Sequence, residues 1–385
     1  MRRTVFDADH EAFRDTIRAF IESEVVPDYD KWYEAGIVPR DLYYKLGELG
    51  VFGIEVPTEY GGAGIESFKF QAVITEELAR AGVSFGGSSV HVALCLPYLQ
   101  TYATHEQKQR WLPGFVSGET MFAIAMTEPG TGSDLAGMRT TAKLADDGSH
   151  YVLNGAKTFI TGGVHADRVI VCARTAPPRD DDRRYGISLL VVDTTSPGYQ
   201  VGRKLDKLGL RVSDTAELTF TDVRVPVQDR LGDAHEGFSY LGQNLPQERL
   251  SIAAGAYAQA KAAVRFAEQY TRDRAVFGKS VASFQNTKFE LATCRSQVDA
   301  AEAVVDRALE AHDRGELSAA DAASAKLFCT ETASSVIDRC LQLHGGYGYI
   351  NEYPIARLYA DSRVNRIYGG TSEVMKMIIA KDMGL

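Results

Sequence analysis

The segment AMTEPGTGSDLAG, residues 125–137, carries the most specific pattern in the sequence. Thr127 and Ser133 contribute hydroxyl groups, while Gly130 and Gly132 allow the backbone to approach a ligand closely. The segment lacks the GxGxxG spacing of a dinucleotide-binding turn and the spacing of a P-loop. From these residues alone, the favoured interpretation is a glycine-rich loop between two domains.

The residues before this loop have helical periodicity. In HEAFRDTIRAFIESEVVP, Phe13, Ile17 and Ile21 lie on one stripe of a helix that Pro27 should end. Two more amphipathic stretches, PRDLYYKLGELG and SFKFQAVITEELARAG, each close on a glycine, which commonly terminates helices. The sequence therefore predicts a helical domain over residues 1–118.

The pattern changes after this domain and then changes back. Residues 119–232 contain short β-branched stretches such as HYVLNGAKTFIT and YGISLLVVD, which indicate an antiparallel barrel or sandwich. Residues 233–385 are helical again, and FELATCRSQVDAAEAVVDRALEAHDRG is typical of a helix in a bundle core. The predicted fold class is α+β and mostly α, with helices, a sheet and helices in that order.

Composition limits the partners and the compartment. The chain has 385 residues and a net charge of −9 without a basic patch, so nucleic acid is not expected as a partner. The five cysteines form no Cys-x-x-Cys pair, which indicates reduced thiols in a cytoplasmic protein without a zinc site. The histidines show no metal-ligand spacing, so no metal is predicted. The acidic N-terminus and the lack of a long apolar run predict neither a signal peptide nor a membrane span.

Six segments resemble one known family. The loop at residues 125–137 and QLHGGYGYINEYPIARLYAD at residues 342–361 resemble the two signatures of the acyl-CoA dehydrogenases. VPTEYGGAG, NGAKTFITGG, RDRAVFGKSVASFQ and IYGGTSEV match further segments of that family in the same order. This resemblance, which covers essentially the whole chain, implies a C-terminal four-helix bundle and a homotetramer built as a dimer of dimers. It also implies FAD as cofactor, acyl-CoA as substrate and an electron-transferring flavoprotein as electron acceptor.

The resemblance further implies a flavin site, residue by residue. Contacts to the isoalloxazine ring are implied for Met126, Thr127, Gly132 and Ser133, with Phe159 and Thr161 on the other side of the ring and Thr371 and Glu373 near the diphosphate and ribityl groups. Contacts to the adenine half of a flavin held mainly by the neighbouring subunit are implied for Arg274, Phe277, Gln285, Gln342, Gly345 and Gly346. Arg274 supplies positive charge to a diphosphate. Phe159 stands where many relatives have Trp, so ring stacking should survive without the indole N–H.

The position of the catalytic base is the main question that the resemblance raises. The family's reaction needs a carboxylate that removes the α-proton of an acyl thioester. In many members this is a Glu two residues before the Thr of the GTS turn, and here that position is Gly369. The isovaleryl- and long-chain-type branches carry the base on the helix that contains LPQERL, where Glu248 stands. Because glycine at 369 leaves room for Glu248, the resemblance implies Glu248 as the base.

The neighbours of Glu248 also allow a plainer interpretation. Pro246 followed by Glu248 is typical of a first helical turn, where the helix dipole stabilises an acid and lowers its pKa. A base benefits from a raised pKa instead, and we expect burial beneath the acyl chain and the flavin to dominate.

The remaining implied residues surround the substrate. They are Ser133, Arg249, Tyr368, Gly369 and Gly370. The backbone N–H of Gly369 is expected to donate to the thioester carbonyl, which requires no side chain at that position. For Arg249, a role in positioning the CoA portion or the active-site wall and a role in a buried structural ion pair are equally favoured.

Two other functions stay open on the same fold. One is an acyl-CoA oxidase or flavin monooxygenase, and the pairing of Glu248 with Gly369 favours the dehydrogenase over it. The other is a non-catalytic acyl-CoA-binding protein, against which the retained flavin segments argue.

Overall fold

Helices, strands and helices follow one another in the predicted order. A computed structural model describes residues 3–385. The first helices are α1 (Ala8–Phe20), α2 (Tyr29–Ala35), α3 (Asp41–Glu48), α4 (Lys69–Ala81), α5 (Leu96–Tyr102) and α6 (His105–Ser117). The strands of the main sheet are β1 (Phe122–Ala125), β2 (Thr141–Leu144), β3 (His150–Thr161), β4 (Arg168–Arg174), β5 (Ile187–Asp193), β6 (Tyr199–Lys204), β7 (Thr215–Pro226) and β8 (Arg230–Leu231). The C-terminal part contains α7 (Gly237–Asp273), the hairpin β9 (Ala275–Val276) and β10 (Lys279–Ser280), α8 (Gln285–Asp313), α9 (Ala319–Leu343), α10 (Pro354–Ser362) and α11 (Ser372–Asp382).

The central sheet is mixed rather than wholly antiparallel. Seven of its eight strands have the order β6-β7-β3-β2-β4-β5-β8, and the eighth, β1, pairs with β4. Most neighbours are antiparallel as predicted, but β1 and β2 both run parallel to β4. The parallel pairing of β1 with β4 is possible because these two strands are not joined by a tight turn. The loop after β1 and the β2–β3 hairpin lie between them in the chain. This crossover puts the end of β1 beside β3, where the glycine-rich loop begins.

The C-terminal helices pack around α7 and α9. Helix α7 contacts α8, α9 and α10, while α9 also contacts α11. The buried face of α7 is lined mainly by alanines, from Ala253 to Ala267, and these small side chains let the neighbouring helices approach closely. No helix within residues 3–385 has the length and apolar character needed to cross a bilayer.

Pro246 lies inside helix α7 and not in its first turn. The plainer interpretation of Pro246 and Glu248 as a first helical turn is therefore wrong, because the helix starts at Gly237. Proline removes one backbone hydrogen bond, to the carbonyl four residues earlier. That residue is Gly242, which is exposed, so water can hydrate the free carbonyl. Glu248 therefore lies well beyond the first turn, outside the range in which the helix dipole lowers a pKa.

Asp361, at the end of α10, ties the C-terminal helices to the sheet. Its carboxylate accepts a hydrogen bond from the backbone N–H of Leu210, in the loop between β6 and β7. Burial raises the pKa of Asp361 to about 6, although the Leu210 N–H and the charges of Arg357 and Lys207 act in the opposite direction.

This raised pKa predicts how stability responds to pH. The unfolded chain ionises the carboxyl near pH 3.8, whereas the folded chain keeps its proton to about pH 6. The protonated carboxyl of Asp361 therefore contributes its full stabilisation of the folded state below pH 3.8. This contribution is lost as the pH rises through 6. Asp361→Asn should raise the thermal midpoint relative to wild type more at neutral pH than in mild acid, as measured by calorimetry. Asp382→Asn, at the exposed end of α11, is the control. An equal shift at both pH values would contradict the assignment.

Candidate active site

Gly369 and Glu248 compete for one small volume. A methyl group added to Gly369 would lie 2.4 Å from Ile252 Cδ1, 3.3 Å from Glu248 Oε1 and 3.6 Å from Lys326 Cε. The backbone of Gly369 also has a φ of +61°, a value that residues with a side chain rarely adopt. A residue larger than glycine at 369 would therefore clash with Ile252 and come into tight contact with the carboxylate of Glu248.

Glu248 lies beside Gly369 in a partly enclosed position. Its side chain is half-buried, and burial raises the pKa of its carboxyl, while the positive charges of Arg249 and Lys326 act in the opposite direction. The direction is the one expected for a base, and the packing of the chain alone produces it. An ionised form remains accessible because two cations face the carboxylate.

The turn that contains Gly369 and Gly370 is held from two helices. Arg249 Nε, on α7, lies 3.4 Å from the carbonyl oxygen of Gly369 as a long hydrogen bond. Lys326 Nζ, on α9, donates to the carbonyl oxygen of Gly370 over 2.6 Å. Arg249 is buried and has no carboxylate within 4.0 Å among residues 3–385, so it does not form the structural ion pair that the sequence left open.

Lys326 was not among the predicted site residues. It interrupts the apolar stripe of α9 that runs through Ala322, Cys329 and Ala333. A lysine at a core position of an otherwise apolar helix face was the available signal, because buried lysines are rare unless they have a partner.

Tyr368, the residue before the turn, directs its hydroxyl inward. The hydroxyl donates to Asn365 Oδ1 over 2.8 Å, and Asn365 Nδ2 donates in turn to Gln259 Oε1 over 2.7 Å. Burial raises the pKa of the phenol. The ring itself remains 42% exposed, so one of its surfaces is open beside the turn.

The loop after β1 is anchored to β3. Thr158 N–H donates to the carbonyl of Thr127 over 3.0 Å. Lys157 Nζ donates to the carbonyl of Met126 over 2.9 Å and pairs with Glu128 Oε1 at 3.0 Å. Both members of this ion pair are buried, and the sequence analysis missed them. Their contacts order Met126 and Thr127, two of the predicted flavin contacts, on the rigid sheet.

The rest of the predicted ring-contacting set surrounds open space. Gly132 and Ser133 are exposed, and nothing lies within 4 Å of a Cβ placed on Gly132. Phe159 is 68% exposed and has a φ of 60° at a bulge in β3. Thr161 ends the same strand. A large aromatic ring held outward on a strained backbone is typical of a residue that stacks on a ligand.

The predicted adenine-contacting set lies together at the other end of α7. Arg274 follows the last residue of α7 and lies 5.6 Å from the ring centroid of Tyr347. Phe277, at the tip of the β9–β10 hairpin, is 95% exposed and has a φ of 50°. Gln285 begins α8, and Gln342, Gly345 and Gly346 lie at the end of α9 or just after it, with open space beside both glycines.

The predicted adenine-contacting group lies far from Glu248 within one chain. Helix α7 has 37 residues. Since a helix rises 1.5 Å per residue, Glu248 and Arg274 are on the order of 40 Å apart. The remaining pair, Thr371 and Glu373, opens α11, where the Thr371 side chain accepts a hydrogen bond from the N–H of Val374. Within residues 3–385, no cluster of three or more His, Cys, Asp or Glu could hold a metal ion.

Comparison with known proteins identifies the family. Residues 7–119, 123–223 and 235–384 match the models of the N-terminal, middle and C-terminal domains of acyl-CoA dehydrogenases. The chain belongs to the acyl-CoA dehydrogenase family. The mitochondrial long-chain specific acyl-CoA dehydrogenase of Sus scrofa is 42% identical over 99% of this chain and 88% of its own length. The crystal structure of an acyl-CoA dehydrogenase from Geobacillus kaustophilus is 44% identical, with a TM-score of 0.95 over 99% of each chain.

Other acyl-CoA dehydrogenase relatives bear on the cofactor and the direction of the reaction. A glutaryl-CoA dehydrogenase from Mycobacterium smegmatis, solved in complex with FADH2, is 30% identical with a TM-score of 0.90 over 98% of this chain and 95% of its own. A 3-(aryl)acrylate reductase from Clostridium sporogenes is 38% identical over 98% of this chain and 99% of its own length. The family therefore includes enzymes named for either direction.

The packing around Gly369 predicts the effect of a single methyl group. Gly369→Ala should lower turnover at least tenfold and lower the thermal midpoint, because the methyl group clashes with Ile252 and strains the backbone. Gly242→Ala is the matched control, since nothing lies within 4 Å of a Cβ at that helical position. Steady-state kinetics and calorimetry on both variants measure the difference. Equal behaviour of the two variants would refute the exclusion at 369.

The buried pair Glu128–Lys157 predicts a structural cost next to the glycine-rich loop. Glu128→Gln leaves the buried ammonium without its counterion, which typically costs about 3–5 kcal/mol. Asp134→Asn is the matched control, because Asp134 pairs with Arg183 on the exposed surface of the same loop. Denaturant unfolding should show a large loss for the first variant and almost none for the second. A small loss in both would contradict the assignment.

Proposed function

We propose that this protein catalyses the FAD-dependent α,β-dehydrogenation of acyl-CoA thioesters to trans-2-enoyl-CoA, with Glu248 as the base that removes the α-proton. The observation that supports this most strongly is the close approach of the Glu248 carboxylate to the turn, with Oε1 3.3 Å from the point where a Cβ of Gly369 would stand. In a family whose reaction needs one carboxylate at this place, the carboxylate comes from α7 and the glycine makes room for it.

The residues of the chain prepare this proton transfer. Burial raises the pKa of Glu248, which strengthens it as a base. Arg249 and Lys326 favour its ionised form and hold the carbonyls of the turn. The backbone N–H of Gly369 donates to the thioester carbonyl, where negative charge develops as the α-proton leaves. After the transfer the proton is held on the carboxyl of Glu248.

The residues around the glycine-rich loop fit a flavin. Phe159 presents its ring outward, and Gly132 leaves the backbone of the loop open to close approach. Met126 and Thr127 are ordered beside it by the contacts to Lys157 and Thr158. When bound, FAD supplies the acceptor for the β-hydride.

The length of α7 supports a site shared between subunits. The adenine-contacting group near Arg274 lies about 40 Å along α7 from Glu248, the residue that we place beside the reacting end of the flavin. We therefore propose that this group binds the flavin of a neighbouring subunit, in a homotetramer built as a dimer of dimers. The full exposure of Phe277 on a strained backbone supports this arrangement.

The substrate and the electron acceptor follow from the family. We take long-chain acyl-CoA thioesters as the first substrates to test, because the pig relative acts on long chains. An electron-transferring flavoprotein is the proposed acceptor, and the cytoplasm stays a prediction, since the pig relative is mitochondrial. The Clostridium relative supports a second candidate, reduction of an enoyl substrate at the same site.

A substrate panel tests the activity and its direction. Saturated acyl-CoA thioesters of increasing length are offered with a one-electron dye, and the corresponding enoyl-CoA thioesters with reduced dye. Fast turnover in the first set supports the dehydrogenase, and turnover in the second set alone supports the reductase. Oxygen uptake during turnover would favour the oxidase, and a colourless protein that binds acyl-CoA would favour the non-catalytic alternative.

The role of Glu248 is tested by removing its basicity. Glu248→Gln should lower kcat by about a thousandfold or more, because the amide cannot accept the α-proton, while flavin content and the thermal midpoint stay near wild type. Glu55→Gln is the matched control, since burial also raises the pKa of Glu55, to about 7, outside this pocket. Dye reduction on both variants measures the effect. Near-normal turnover in Glu248→Gln would refute the assignment.

Moving the carboxylate tests whether the two positions are interchangeable. Glu248→Gly combined with Gly369→Glu should recover part of the activity that Glu248→Gly loses, as measured by dye reduction. Ile252→Ala is added as a third change, because Ile252 Cδ1 occupies the space that a side chain at 369 needs. If activity stays at the level of Glu248→Gly with and without the third change, the two positions are not interchangeable.

A further inference from the structure

Lys326 and Lys157 are the two lysines whose side chains are almost completely enclosed within residues 3–385, and each is 1% exposed. Lys157 has a carboxylate partner, Glu128, at 3.0 Å. Lys326 has no carboxylate within 4.0 Å in the same part of the chain. A buried ammonium group without a direct counterion is costly, so its presence needs a reason.

The contacts of Lys326 lead to the turn beside Glu248. Its Nζ donates to the carbonyl oxygen of Gly370 over 2.6 Å, and its Cε lies 3.6 Å from the place where a Cβ of Gly369 would stand. Glu248 Oε1 lies 3.3 Å from the same point. Lys326 therefore reaches the wall of the candidate active site from α9, opposite the helix that carries Glu248.

The turn needs an external constraint. Gly369 and Gly370 both have positive φ, of 61° and 98°, and glycine has little conformational preference of its own. Because peptide units are planar and trans, holding a carbonyl also directs the N–H of the next residue. Arg249 holds the carbonyl of Gly369 and Lys326 holds that of Gly370, so the direction of two consecutive peptide units is determined from two helices.

Lys326 also acts on the charge of Glu248. The ionisable groups that influence Lys326 are Arg249 and Glu248 of α7. On its own helix, Glu331 is engaged by Arg366 and Ser372, and on α11 the nearest charged residues, Glu373 and Lys376, are exposed. Burial lowers the pKa of Lys326 to about 8, so in acidic and neutral solution it is a cation that opposes protonation of Glu248.

We propose that Lys326 is a positioning residue for the dehydrogenation proposed above. Its ammonium group holds the Gly369–Gly370 turn through the carbonyl of Gly370, and it supplies one of the two positive charges that keep Glu248 ionised. The inference rests on the proposed function, since it assigns a role beside the proposed base. The competing explanation is a purely structural lysine that anchors the segment before α11 and has no influence on Glu248.

The first test compares Lys326→Met with Lys326→Arg in the flavin-loaded enzyme. Loss of the charge should raise the pKa of Glu248, so the acidic limb of the kcat/KM profile should move upward by about half a pH unit or more in Lys326→Met. We expect kcat to fall at least tenfold with a smaller change in KM. Lys326→Arg keeps the charge and should keep the acidic limb at its wild-type position. Lys381→Met, an exposed lysine near the end of α11, is the control and should match wild type.

The second test does not depend on turnover. The carboxyl band of Glu248 is assigned in pH-dependent infrared difference spectra by its loss in Glu248→Gln, and its titration is followed in each Lys326 variant. An upward shift of the Glu248 titration in Lys326→Met, but not in Lys326→Arg, supports the proposal even if the wild-type enzyme does not oxidise acyl-CoA. Failure of the wild-type enzyme to oxidise acyl-CoA would refute the proposed function separately. An unshifted band together with an unshifted acidic limb overturns the proposal. If Lys326→Met does not fold, Lys326→Gln takes its place, and the same two outcomes decide.

Discussion

The crowding of position 369 by helix α7 is the constraint on which the rest of the site depends. A Cβ there would lie 2.4 Å from Ile252 Cδ1, which is possible only if an atom shifts, and 3.3 Å from Glu248 Oε1. The chain resolves this conflict with a glycine whose backbone lies in the left-handed region. The absence of a side chain on the turn and the presence of an acid on the helix are thus one structural fact, and neither residue can be understood alone.

Two buried lysines hold backbone segments that carry predicted site residues. Lys157 holds the loop after β1 through the carbonyl of Met126 and is neutralised by Glu128. Lys326 holds the turn before α11 and faces Glu248 without touching it. In both cases an ammonium group restrains a backbone segment in or next to a glycine-rich turn, which has little conformational preference of its own. Helix α7 adds the third element, since its length separates Glu248 from Arg274, and this separation is the reason for proposing a cofactor site shared by two subunits.

Some features of this protein are visible in its sequence and others are not, for physical reasons. The order of helices and strands was predicted correctly because amphipathic periodicity and turn residues act locally. The alternative that placed Pro246 in a first helical turn is wrong, because proline is a strong local signal that the packing of a long helix overrides. The sequence did not predict the buried positions of Lys326, Glu128 and Lys157. A lysine or glutamate is ordinarily a surface residue, and a single sequence does not show that one is buried.

By itself, the sequence determined the three-part architecture, the family, and the fact that position 369 cannot supply a carboxylate. Each of these features can be recognised from short segments whose residues are close together along the chain. The tertiary structure decided what surrounds Glu248. Arg249 donates to the carbonyl of Gly369, which is 120 residues away in the sequence. Lys326 donates to the carbonyl of Gly370, which is 44 residues away. Such contacts, and the raised pKa of the carboxyl between them, exist because α7, α9 and the turn pack together, and burial is a property of that packing rather than of any segment alone.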